Sequence, residues 1–217
     1  MKIVVIDTET TSAQPDEARV VTAFLGLWDS EEDRFVQYLD FLVNPGVDIP
    51  EEASAIHGIT TEQASKGMDP VEFLELFHYV AHDWAEYPIV VYNAPYDLSV
   101  LNAELERYGY TAFDWTKRQI IDPLVMERHF NKYKKGKKRL MDVAEQRGIV
   151  LDESRLHSAD YDAEVTARIA GQQIAEWGLP TNEEQAEWHR EWALGYMSYR
   201  QRTDPGFEIE RGWPTRV

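Results

Sequence analysis

The chain has 217 residues, 43% of them hydrophobic, with no cysteine and a formal net charge of −17. That length fits one domain plus an appendage and supplies a full core. The absence of cysteine excludes disulfides and thiolate metal sites, and no apolar run approaches a signal-peptide core or a membrane span, so a cytoplasmic protein with no membrane contact is expected.

The first predicted element is a strand over residues 2–6. Ile3-Val4-Val5-Ile6 lacks polar alternation, which places it at the centre of a sheet covered on both faces. The run ends in Asp7-Thr8-Glu9. Strand side chains repeat with period two, so the two carboxylates project to the same side. Held there, they repel unless a cation sits between them; the alternative is a solvated strand end. Strands over 18–28 and 34–43, joined by a turn at 29–33, make the first three strands an antiparallel meander. Residues 44–50 (NPGVDIP) read as a loop. Val71, Leu74, Phe77 and Val80 predict a helix over 69–86. A fourth strand (89–92), a helix (about 95–108) and a short fifth strand (120–121) follow. Helices near 122–131, 138–147 and 159–177 complete an α/β fold, a mixed five-stranded sheet with helices on both faces. Gly178-Leu179-Pro180 stops the last helix, and Thr181 with Glu184 forms a capping box for another. In that helix Trp188, Trp192, Tyr196 and Tyr199 form one stripe, expected to pack on the protein's own core. The chain thus divides into a domain over 1–177 and a C-terminal helix with an extended tail over 178–217.

Further carboxylates fall at matching points. Asp97, in NAPYDLSVL, lies in the first turn of the helix after the fourth strand, where open α/β sheets place their ligands. His157, in HSADYDAEVT, precedes a helix that Ser158 or Asp160 can cap, with Asp162 in its first turn. Taken singly, these acids are ordinary helix starters and the histidine an ordinary loop residue. Asp122 reads as a structural cap on the next helix.

Together, DTET, NAPYDLSVL and HSADYDA resemble the DnaQ-like 3′–5′ exonucleases, the histidine branch of the DEDD exonuclease superfamily. IHGIT (56–60), IIDPL (120–124) and KKRLMDVAEQRGI (137–149) match in the same order, so the resemblance covers roughly 1–177. It implies an RNase H-like fold and a two-metal hydrolase that releases nucleoside 5′-monophosphates from single-stranded or frayed 3′ DNA ends. Asp7, Glu9 and Asp162 would bind the first of two Mg²⁺ (or Mn²⁺) ions. Asp7 would also bridge to the second, which Asp97 holds, and His157 would be the general base. Such chemistry uses hard oxygen ligands and a group that takes a proton near neutrality. Thr8, Thr10, Thr11, His57 and Asn93 fall on the substrate side of these motifs, with Asn93 a cap or orienter of the loop carrying Asp97. His57 would lie beside the terminal nucleotide; a structural loop histidine is the alternative. A DNA polymerase is a partner only if the enzyme proofreads. A 3′–5′ exoribonuclease acting on RNA, or a catalytically silent binding module, are the competing readings; the presence of all five site residues argues against silence.

Two features depart from the family pattern. Ser12 and Ala13 stand where a glycine and a base-wedging apolar residue are usual, which weakens stacking, and Tyr96 replaces a phenylalanine. The net charge argues at first against a nucleic-acid substrate, although metal-dependent phosphodiesterases gather carboxylates to hold their ions. The stretch 131–139 (NKYKKGKKR) concentrates positive charge. Lys134, Lys135, Lys137 and Lys138 in it are expected to grip phosphates away from the metals, unless the run is simply a solvated turn.

Overall fold

The computed structural model describes residues 1–216. Five strands pair in the order β3-β2-β1-β4-β5: β1 (Lys2–Thr10), β2 (Val20–Asp29), β3 (Arg34–Leu42), β4 (Ile89–Val90) and β5 (Ile120–Ile121). β1 pairs antiparallel with β2, and β2 with β3, giving the meander; β4 lies parallel to β1, and β5 parallel to β4. This is the mixed sheet of the RNase H-like exonuclease fold. Among the described residues no helix is long and apolar enough to cross a membrane.

The alternation of β1 sorts its side chains between two layers. Val4 and Ile6 pack with Phe73, Leu74 and Phe77 of α3 (Pro70–Asp83) and with Leu98, Leu101 and Leu105 of α4 (Ala94–Arg107). Ile3 and Val5 face the other way, onto α7 (Ala159–Trp177) and Met126 of α5 (Pro123–Phe130). On α7, Ala159, Ala163, Ala167 and Ala170 form a stripe of small residues against this layer. The stripe lets the helix approach the sheet closely, which brings its first turn near β1.

Four elements differ from the expected reading. β1 runs to Thr10, because β2 is long enough to continue the ladder beyond Ile6; Asp7 pairs with Phe24 and Glu9 with Thr22. Asp7 and Glu9 therefore lie inside the strand. Two short helices, α1 (Glu51–His57) and α2 (Thr61–Ala64), lie around the IHGIT motif between the loop of 44–50 and the helix expected from 69, where no element was expected. Each buries one alanine, Ala53 and Ala64, too little to produce a periodic pattern. β4 spans two residues instead of four, because Asn93 adopts a left-handed conformation that turns the chain into α4.

Between α5 and α7 lies α6 (Leu140–Gln146), and α8 (Asn182–Arg200) follows with the capping box of Thr181 and Glu184 in place. Polar side chains fasten α8 to the outer edge of β5. Asn182 Oδ1 accepts from Ile120 N–H at 3.0 Å, and Gln185 Nε2 donates to Ile120 C=O at 2.7 Å. An exposed strand edge is thereby covered.

Candidate active site

Period two carries the site as it carries the core. Asp7 and Glu9 lie on the α7 side of β1, where Asp162 stands in the first turn of that helix. Carboxylate oxygens of Asp7, Glu9 and Asp162 lie within 4.8 Å of one another. Thr8 projects to the opposite side, toward α4, and binds Asp97. Asp97 Oδ1 accepts from the Thr8 backbone N–H at 3.1 Å and from its hydroxyl at 2.6 Å. His157, exposed on the loop before α7, lines the same cleft of about 530 Å³ as the four carboxylates.

This arrangement is electrostatically costly as it stands. Burial, then the charges of Asp97, Asp162 and Glu9, holds the Asp7 carboxyl well above the usual range. Burial, with Asp162 and Asp97, pushes Glu9 up to about 8. Burial lifts Asp97 to about 7 against the hydrogen bonds from Thr8, and Asp162 to about 6 against the nearby His157. Asp162 Oδ1 is buried with no hydrogen-bond partner. An all-carboxylate donor set, mutual repulsion and one orphaned buried oxygen together fit a hard divalent cation.

The site is held from below by Asp122, which is 1% exposed. Its carboxylate accepts from the N–H groups of Leu124 and Val125, capping α5 as expected. It also accepts from Asn93 and Ala94, both at 3.0 Å, which fixes the start of α4 and hence Asp97. Asn93 contributes through its backbone: at φ 66° and ψ 50° it makes the turn, and its side chain makes no cap hydrogen bond. His157 also has positive φ, 62°. A non-glycine residue held there is strained and commonly marks a functional position.

Comparison with known proteins agrees with this geometry. Residues 4–170 match the model of the RNase_T exonuclease family. The chain belongs to the DEDD 3′–5′ exonuclease family. It is 30% identical, over 178 residues, to the DNA polymerase III subunit epsilon of Rickettsia conorii, covering 78% of this chain and 72% of that one. It is 28% identical to ribonuclease T of Shewanella frigidimarina over 178 residues, 76% of this chain and 79% of that one. Its fold matches Escherichia coli exonuclease I, in the zinc-bound complex with single-stranded DNA, at a TM-score of 0.69 with 20% identity. That match covers 91% of this chain and only 45% of exonuclease I.

In this exonuclease-family chain the remaining expected residues fall into two groups. A second cleft of about 770 Å³ adjoins the first, sharing Thr8, Glu9, Asn93 and Tyr96 with it, and is also lined by Thr10, Thr11, Ala13 and His57. Its threonines are engaged in the protein's own structure. Thr10 bonds the Tyr96 hydroxyl, and Thr11 Oγ1 accepts from Arg19 N–H at 3.0 Å. His57 ends α1; its Nδ1 accepts from Ile59 N–H at 3.1 Å, and burial pushes its pKa down against a hydrogen bond to the Thr10 backbone. Of the lysines, Lys134, Lys135 and Lys137 are exposed, whereas Lys138 pairs with buried Glu127 at 3.3 Å.

Four cleft residues escape the sequence reading of the site. Ile56, 59% exposed, lines the second cleft together with Ala13 and offers apolar surface that alanine cannot. The Tyr96 hydroxyl, which the usual phenylalanine lacks, bonds both Thr10 and the Ser12 carbonyl and so ties α4 to the end of β1. Arg128 lines the first cleft and Arg216 the second. The sequence carries no periodic or motif signal for either arginine.

Proposed function

We propose that the protein is a metal-dependent 3′–5′ exonuclease that removes nucleoside 5′-monophosphates from single-stranded DNA ends. The observation that carries this reading is the Asp7–Glu9–Asp162 cluster with Asp97 beside it, at the junction of two adjoining clefts of about 530 and 770 Å³. Asp7, Glu9 and Asp162 would hold one divalent ion, and Asp7 with Asp97 a second. When bound, a pair of Mg²⁺ or Mn²⁺ ions stabilises the attacking and leaving oxygens of an in-line displacement at phosphorus.

The chain's own residues do the rest. His157 takes the proton of the attacking water and, being exposed, passes it to solvent. Thr8 holds one oxygen of Asp97, and Asp122 holds the turn beneath it, so that the carboxylates keep their places through turnover. The terminal nucleotide lies in the second cleft between Ile56 and Tyr96, beside His57. Lys134, Lys135 and Lys137 meet phosphates further along the strand. The single strand in the exonuclease I complex supports DNA as the substrate, and the likeness to epsilon subunits supports proofreading beside a polymerase.

Rates on single-stranded DNA, duplex DNA and RNA of one sequence test the substrate class. Single-stranded DNA is expected to be cut fastest. Faster cutting of RNA would move the assignment to an exoribonuclease.

A further inference from the structure

The aromatic stripe of α8 has no part in the reading above, yet one of its rings reaches the cleft wall through another residue. The guanidinium carbon of Arg128, on α5, stands 3.4 Å from the centroid of the Trp192 ring. Trp192 in turn stacks on Tyr196, centroids 5.5 Å apart and planes 8° from parallel. Arg128 is half-buried, and burial draws its pKa down to about 10 against the charge of Asp122. Three lysine or arginine side chains line the carboxylate cleft: Arg128, Lys138 and Arg139. Lys138 is paired with Glu127, and Arg139 with Asp142. Among the described residues Arg128 has neither a salt bridge nor a side-chain hydrogen bond, and its nitrogens are not among the buried atoms left without a partner. Nor does Asp122 require it, since that carboxylate already accepts four backbone N–H groups.

We propose that Arg128 binds a phosphate of the substrate strand, and that Trp192 is the positioning residue that aims its guanidinium into the cleft. A planar fork with unused donors suits bidentate phosphate contact, and stacking on tryptophan restricts the fork to few orientations. α8 thereby becomes part of the substrate site, although it lies beyond the residues matched by the family model. This inference rests on the nuclease reading above.

The test is binding of a 5′-fluorescein oligothymidylate in EDTA across a KCl series, with KM and kcat measured separately in Mg²⁺. Arg128→Gln is expected to weaken binding and raise KM on the order of tenfold, with a smaller change in kcat. It should also reduce the slope of log K against log[KCl] by about 0.7, the value for neutralising one single-strand phosphate. Arg128→Lys should keep the slope and lose part of the affinity. Trp192→Ala should weaken binding with the slope unchanged, because the charge remains; Trp192→Phe should restore most of it. Arg128→Gln/Trp192→Ala should bind no more weakly than Arg128→Gln alone. Unchanged affinity, slope and KM in Arg128→Gln would overturn the inference and leave the arginine as a packing element between α5 and α8, whatever its melting temperature. A wild-type protein that neither binds nor cuts the oligonucleotide would overturn the nuclease reading and this inference with it.

Discussion

Four carboxylates raised by burial and mutual repulsion make the site a source of instability until a cation arrives. In the folded state Glu9 titrates at about 8, Asp97 at about 7 and Asp162 at about 6, against roughly 4 for unfolded carboxylates. At these groups the folded protein therefore binds more protons than the unfolded chain between about pH 4 and 8, and their contribution to stability falls as pH rises through that window. Metal-free protein should melt at a higher temperature near pH 5.5 than near pH 8, and Mn²⁺ should raise the melting temperature most at the alkaline end. Asp7→Ala or Asp162→Ala should abolish hydrolysis while raising the metal-free melting temperature at pH 8. Calorimetry at the two pH values checks both points; an apo protein more stable at pH 8 would contradict the electrostatic account. As the proposed base, His157 would make the same trade of stability for function. At φ 62° its backbone strain should be relieved by glycine, so His157→Gly should be about 1 kcal/mol more stable than His157→Ala. Both should lose most turnover and keep oligonucleotide binding. Turnover in either variant at the wild-type rate would assign the base elsewhere.

At the scale of elements, the site depends on polar side chains that tie one segment to another. Gln185 of α8 accepts from the Asp122 N–H at 2.8 Å and donates to Ile120 C=O, and Asp122 holds the start of α4. Gln185→Ala would leave the buried Asp122 N–H unpaired, which costs about 1–3 kcal/mol, and would take from the Ile120 carbonyl one of its two side-chain donors, the other being Gln119. Denaturant unfolding should show that loss, and because Asp97 sits one link further on, turnover should fall as well. A loss confined to stability would mean that Asp122 keeps its place without Gln185. Much of this element layer was legible in the sequence. β2, β3, α4, α5 and α7 announce themselves by apolar spacing, by turn residues and by Asp122 as a cap. What was not legible depends on partners distant in the chain. β1 extends past Ile6 only because β2 runs beside it, and α1 and α2 bury too little to leave a pattern. The motifs located the carboxylates but not which side of β1 each neighbour approaches, so the engagement of Thr8 with Asp97 and of Lys138 with Glu127 emerged only from the fold.

Across the whole molecule, on the proposed reading, an acidic protein meets a polyanion by keeping its carboxylates for cations and the exposed Lys134, Lys135 and Lys137 for phosphates. Neutralising Lys134, Lys135 and Lys137 together should weaken binding to long oligonucleotides. The slope of log K against log[KCl] should become shallower by about 0.7 for every phosphate that a lysine no longer neutralises. Lys138 is left out, because its removal would strip a partner from buried Glu127. Wild-type salt dependence in the triple variant would leave this loop as solvated surface. Once it holds divalent metal, this carboxylate cluster should shorten strands from the 3′ end. The most direct measurement follows a 5′-labelled single strand incubated with the protein in Mg²⁺, in Mn²⁺ and in EDTA. A ladder of progressively shorter labelled products with either metal, absent in EDTA and absent for Asp7→Ala, is the predicted result. Immediate release of the label as a mononucleotide, or cutting that persists in EDTA, would contradict it.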